Sequence, residues 1–258
     1  MNTSAQGLRV LVTAGAAGIG CAFASTFHEA GAKVFVCDID AQALSKFRAE
    51  HPQVGTAVTD VAVPSQVDEQ FDTAALFLGG LDVLINNAGI VGPTARVEDI
   101  SVLEWDRTIA IDLNGMFYCT RRAVPLLKAA GGGGIINLSS IAGRLGYPLR
   151  TPYSAAKWAV VGFTKSLAIE LSPSNIRVNA IQPGVVEGER VNQVISARAA
   201  AASIDFEASR EQFVSTISLR RMVSAQDVAN MALFLATPAG ASISGQALSV
   251  CGDHGSLA

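Results

Sequence analysis

Seven short apolar runs recur along this chain, at residues 8–13, 33–37, 54–59, 81–85, 134–138, 176–181 and 249–250. Between them lie segments of helical length, at 64–78, 101–130, 152–171 and 224–236, and Ile19, Ala22, Phe23, Ala24 and Phe27 recur at helical spacing up to Gly31. Hairpins cannot join strands set this far apart. Strands that alternate with helices pair in parallel through right-handed crossovers, and both sheet faces end up covered. The spacing therefore predicts a doubly wound α/β domain with a seven-stranded parallel sheet and helices on both faces. Half the residues are hydrophobic and 16% are charged, against about 25% charged in an average soluble chain. That balance suits one large core, so residues 1–258 read as a single domain. Residues 185–218 lack a strand and are rich in Ala, Ser, Arg and Glu, which reads as a helical insertion serving as a lid.

Charge and cysteine usage exclude several classes. The net charge is −3 and the longest basic cluster is Arg121-Arg122, which disfavours nucleic acid and anionic membrane surfaces as partners. Four cysteines stand far apart with no CxxC pair, and there are three histidines. Neither a metal site nor a disulfide framework is expected, and reduced thiols suit a cytoplasmic protein. Residues 10–27 carry no charge, but Gly15, Gly18 and Gly20 interrupt them and no basic segment precedes them. This is strand, turn and helix rather than a membrane span or leader.

In such sheets ligands bind beyond the carboxyl ends of the strands, where the strand order reverses. The loop from Thr13 through Ala14, Gly15, Ala16, Ala17, Gly18 and Ile19 to Gly20 joins the first strand to the first helix. Small residues there let the backbone approach a pyrophosphate, and the helix N-terminus offers free N–H groups. On its own the loop is equally compatible with a tight turn. Asp38, eighteen residues beyond Gly20, ends the second strand. Its carboxylate would accept from a ribose 2′-hydroxyl and repel a 2′-phosphate, so NAD is the expected cofactor of this Rossmann-type site. Asp38 would also serve as an N-cap for the helix beginning near Ala41. Tyr153-Ser154-Ala155-Ala156-Lys157 opens a helical segment and sets a phenol and an ammonium one turn apart. A cation so placed favours the phenolate, although Tyr/Lys pairs at this spacing also occur on solvated helix faces.

Together these residues make the sequence resemble the short-chain dehydrogenase/reductase family over essentially its whole length. The matching positions are the 13–20 loop, Asp60, Asn87-Ala88-Gly89, Asn114, Ser140, Tyr153, Lys157 and Pro183-Gly184. The resemblance implies an NAD-dependent dehydrogenase of secondary alcohols. It makes Tyr153 the general acid/base, Lys157 its partner and a ribose contact, Ser140 the group that orients the reacting oxygen, and Asn114 the holder of a proton-relaying water. For the cofactor it implies Gly15, Ala17, Gly18, Ile19, Gly20, Asp38, Asp60, Val61, Asn87, Gly89, Gly184 and Val186, besides Tyr153 and Lys157.

Two departures stand out. Ala14 replaces the family's first loop glycine, which predicts a negative φ there because a Cβ penalises the left-handed region. Gly188 stands where the family often has a threonine, leaving backbone N–H groups near Val186 to meet the carboxamide. For substrate, Arg150 and Arg190 are candidate carboxylate clamps beside Ser140, which suggests a hydroxy acid, sugar acid or polyol. A 3-oxoacyl-thioester or steroid-type ketone reductase, and a non-enzymatic dinucleotide sensor, are the alternatives. Apolar positions such as Val160, Phe163 and Leu167 predict a helix face that pairs across a two-fold axis, in a homotetramer rather than a dimer.

Overall fold

The computed structural model describes residues 3–255, excepting the side chains of Arg190, Gln193, Ala197, Arg198 and Ala201. Seven strands form one parallel sheet among the described residues, in the order β3-β2-β1-β4-β5-β6-β7. They are β1 (Arg9–Thr13), β2 (Lys33–Asp38), β3 (Gly55–Val58), β4 (Val83–Asn86), β5 (Gly133–Leu138), β6 (Ile176–Pro183) and β7 (Ala247–Val250). The predicted sheet is present with each strand shifted by at most a few residues. The order reverses between β1 and β4, whose registers pair Val10 with Val83 and Val12 with Ile85. A crevice therefore opens beyond the carboxyl ends of these two strands.

The β-branched central strands leave both faces apolar, and helices cover each. On one face α1 (Gly18–Glu29) and α9 (Ala225–Ala236) pack Phe23, Phe27, Val228 and Leu235 against Val10, Val12, Val34 and Ile136. On the other, α3 (Pro64–Leu78), α5 (Gly115–Ala129) and α6 (Thr151–Leu171) pack Phe71, Leu127 and Leu167 against Leu11, Leu84 and Ile135. The short α2 (Ala41–Glu50) follows β2 and is capped by Asp40, whose carboxylate accepts from Gln42 N and Ala43 N at 2.9 and 3.0 Å. Capping α2 is thus the task of Asp40, not of Asp38.

The expected helix at 101–130 is interrupted. α4 (Val102–Ile109) opens on a capping box between Ser101 and Glu104, and a π-helical segment, Ala110–Asn114, separates it from α5. Residues 185–218 form a helical hairpin, α7 (Glu189–Ala202) and α8 (Phe206–Ser215). It carries a small core of its own from Val191, Ile195, Val214, Ile217 and Met222.

The expected outward face requires correction. Val160 and Leu167 are buried in the chain's own core, and Phe163 is partly buried against it. They occupy the inner stripe of α6, as amphipathic spacing dictates. The exposed apolar side chains on these helices are Val102, Leu103, Trp105, Phe117, Trp158 and Ile169.

Candidate active site

The glycine loop leaves β1 and turns sharply under β2. A Cβ on Gly15 would stand 2.7 Å from a Val36 methyl, and one on Gly20 would overlap the carbonyl oxygen of Ala14. Beyond Gly18 a Cβ would meet nothing within 4 Å, so the loop is packed on its inner side and open on its outer one. At the start of α1, Ala17 gives no side-chain cap and the first turn holds no acid. The backbone N–H groups of that turn are left to an anionic ligand.

Ala14 contradicts the expectation of a negative φ: it stands at +49°. The closing bonds dictate it. Ala14 O accepts from Asn87 Nδ2 at 2.9 Å, and Gly15 N donates to Cys37 O at 3.1 Å. Left-handed backbone costs a non-glycine residue about 1–2 kcal/mol, whereas glycine costs about 0.4–1 kcal/mol through the unfolded chain. Ala14→Gly is therefore expected to stabilise the protein by roughly 0.5–1 kcal/mol, read from urea melting; a destabilised variant would mean that the loop is not strained there.

Thr13, which sequence reasoning did not single out, ties the two sides of the crevice together. Its buried Oγ1 accepts from Asn87 N and Ala88 N at 2.9 and 3.0 Å. Both Asn87 Nδ2 bonds go to the loop, to Thr13 O and Ala14 O. On the far side of the loop, Asp38 is fixed by Ala16 N on Oδ2 and Asp40 N on Oδ1, each at 3.1 Å. Burial pushes the neighbouring Cys37 thiol up to about 12, so it adds no charge beside that carboxylate. Asp60 accepts from Ala62 N, and buried Val61 lies at the same end of the sheet.

The second half of the site is built where β5 meets α6. Ser139 Oγ donates to Lys157 O at 2.8 Å, and Ser154 Oγ donates to Ala142 O at 3.0 Å. A Cβ on Gly143 would sit 2.5 Å from Lys157 O, so only glycine permits this close approach. These contacts press the segment after β5 onto α6, and they carry Ser140 and Tyr153 with them. Ser140 Oγ accepts from Ala142 N at 3.1 Å, which leaves its own proton for a ligand oxygen. Tyr147 lies edge-on to Tyr153, with ring centroids 6.5 Å apart.

Lys157 is 4% exposed and donates to Leu138 O at 3.1 Å, with Nζ 5.5 Å from the centre of the Tyr153 ring. Its ionic partner is Asp112, 0% exposed, with Oδ2 3.4 Å from Nζ. Asp112 Oδ1 accepts from Ile90 N at 2.7 Å. Gly89 completes the contact, since a Cβ there would stand 3.2 Å from Nζ and 3.4 Å from both carboxylate oxygens.

Asn114, expected beside Lys157, is exposed. The residue of the π-helical segment that faces the lysine is Asp112, two positions earlier. The sequence did hold a signal: Asp112 is an acid inside the apolar run Ile109–Leu113.

One further expectation changes, and two residues gain a packing context. Arg150 Nη1 donates to Val91 O at 3.0 Å and Gly92 O at 3.3 Å, clamping the loop after β4 instead of standing free for a carboxylate. Gly184 serves close packing, because a Cβ there would meet Cys251 Cα at 2.8 Å. Val186 bridges Val223 in parallel, with Val185 O and Glu187 N making the bonds; strand alternation turns the Val186 N–H to the opposite side. The side chain of Arg190 lies outside the described residues. His254 closes the end of the hairpin by pairing Nε2 with Thr216 Oγ1 at 3.0 Å, while its carbonyl accepts from Arg144. Among the described residues, no three His, Cys, Asp or Glu side chains are grouped to hold a metal, and no helix is long and apolar enough to cross a membrane.

Comparison with known proteins matches residues 14–255 to the family model described as "Enoyl-(Acyl carrier protein) reductase". Trans-4-hydroxycyclohexanecarboxylate dehydrogenase of Sinomonas cyclohexanicum is 37% identical, over 95% of this chain and 91% of the relative. D-beta-hydroxybutyrate dehydrogenase of Rhizobium meliloti is 32% identical, over 94% and 96%. Among solved structures, NAD+-bound xylitol dehydrogenase superposes with a TM-score of 0.89 at 27% identity, covering 96% of this chain and 99% of that one.

Proposed function

Since this chain belongs to the short-chain dehydrogenase/reductase family and is an oxidoreductase acting on CH–OH groups, we propose that it is an NAD-dependent dehydrogenase of small polar secondary alcohols. A hydroxy acid, sugar acid or polyol is oxidised to its ketone. The observation that carries this reading is the meeting, at one end of the sheet, of an uncapped and open α1 N-terminus, an oriented Asp38 carboxylate, and Ser140 with Tyr153 and Lys157. The first turn of α1 would hold the pyrophosphate, Asp38 the adenosine ribose, Asp60 and Val61 the adenine, and Lys157 the nicotinamide ribose. The nicotinamide, when bound, supplies the hydride acceptor. Ser140 would donate a hydrogen bond to the reacting oxygen, and Tyr153 would take the alcohol's hydroxyl proton as its C–H hydride leaves for the nicotinamide. The relatives that act on hydroxycyclohexanecarboxylate and hydroxybutyrate, and the neighbour named for xylitol, support the substrate class.

Production of NADH with a panel of hydroxy acids, sugar acids, polyols, steroids and hydroxyacyl thioesters tests the proposal. Turnover confined to steroids or thioesters would refute the substrate class. Asp38→Ala is expected to lower the NAD-over-NADP ratio of kcat/KM by about 10- to 100-fold, the value of a hydrogen bond to a charged group. An unchanged ratio would remove Asp38 from cofactor selection. The exposed face of α4, α5 and α6, with Leu103 at 77% and Ile169 at 79% exposure, supports a homo-oligomer, with a tetramer favoured over a dimer; sedimentation equilibrium decides between them. The free cysteines among the described residues suit a cytoplasmic setting.

A further inference from the structure

The pairing of Asp112 with Lys157 puts a second charge into the catalytic centre. A carboxylate and an ammonium are both removed from water 3.4 Å apart, and the centre of the Tyr153 ring lies 5.5 Å from the ammonium nitrogen. Charges in such surroundings are weakly screened, so each is felt several ångströms away. The surrounding elements add little. The stretch Asn87–Gly92 and the end of β5, with Ser139 and Ser140, bring no ionisable side chain. Arg150 on the approach to α6 is turned to the carbonyls of Val91 and Gly92, and Tyr147 meets Tyr153 edge-on through its ring. The field at Tyr153 is thus set by Lys157 and Asp112 acting against each other.

We propose that Asp112 is a positioning residue that sets the pH range of the reaction, its carboxylate fixing Lys157 while opposing the ammonium's pull on the Tyr153 proton. Lys157 favours the phenolate, which oxidation needs as a base. Asp112 favours the protonated phenol, which ketone reduction needs as an acid. The pair therefore moves the onset of alcohol oxidation to a higher pH than lysine and tyrosine alone would give, and it widens the range in which the site reduces ketones. The inference rests on the dehydrogenase reading of Tyr153 and Lys157.

The test is the pH profile of kcat/KM for alcohol oxidation by the full chain with NAD and its best alcohol, from pH 5 to 10.5. In D112N, the rise of activity with pH is expected about one pH unit lower than in the wild type, the size of a unit charge removed at this range. In D112E, which keeps the charge, the rise stays in place. A rise that is unmoved or moved upward in folded D112N overturns the proposal, because a merely structural Asp112 would change the height of the profile and not its position. If D112N does not fold, wild-type protein labelled with 15N-lysine gives the answer. The slowly exchanging, buried lysine signal is expected to remain that of an ammonium throughout the pH interval in which turnover rises, and its conversion to an amine there overturns the proposal. A wild type that oxidises no alcohol of the panel refutes the dehydrogenase reading instead, and the lysine signal still decides the pairing.

Discussion

Tyr153→Phe is expected to lower kcat/KM for alcohol oxidation by about 1,000-fold, within the range that a positioned general acid/base contributes, while NADH affinity changes less than about twofold. The substitution removes one oxygen and little else. The ring stays edge-on to Tyr147 and beneath Lys157 Nζ, so packing and the charge pair are preserved. What is lost is the atom to which the proposed mechanism gives the alcohol's proton. Stopped-flow fluorescence of bound NADH and steady-state turnover together check the prediction. A variant keeping more than about a tenth of the activity would place the base elsewhere, and one that also failed to bind NADH would show a structural role. A dinucleotide sensor without catalysis is separated by the same pair of measurements, since its wild type would bind and never turn over.

Much of this architecture was legible because parallel strands are written in a compact grammar. Val10–Val12, Val34–Cys37 and Leu84–Ile85 are short apolar runs followed by a polar residue, and each lies in a sheet strand. In such sheets ligands approach the carboxyl ends of the strands, so the positions of Asp38 and Ser140 could be placed by counting. The glycine loop gave its position but not its backbone. Whether Ala14 tolerates a positive φ depends on Asn87, seventy-three residues away, and no local preference encodes that. The break between α4 and α5 was also hidden: Ile109–Asn114 contains no glycine or proline, and the π-helical segment shows only in the fold. Within that segment the inward side chain beside Lys157 is Asp112 and not Asn114, which position in the sequence alone did not reveal. Arg150 fails for a related reason. An arginine three residues before the tyrosine has enough reach for either the pocket or the loop after β4, and only the positions of Val91 and Gly92 decide.

Lys157→Met is expected to cost about 3–5 kcal/mol of stability, the usual consequence of removing one partner from a buried ion pair, and to reduce turnover at least as severely as Tyr153→Phe. The side chains are similar in length, so the loss is not one of volume. It arises because Asp112, fully buried, keeps Ile90 N on Oδ1 but loses its cation on Oδ2. Adding Asp112→Asn should then restore about 2 kcal/mol or more, because a neutral amide in the same place no longer requires a counter-charge. Turnover should not return, since the ammonium that favours the Tyr153 phenolate is still missing. Urea melting of the two single variants and the double variant, with steady-state rates on each, separates the two functions of the lysine. Additive losses of stability would mean that Asp112 and Lys157 do not depend on each other. Recovered turnover in the double variant would mean that Tyr153 needs no cation beside it.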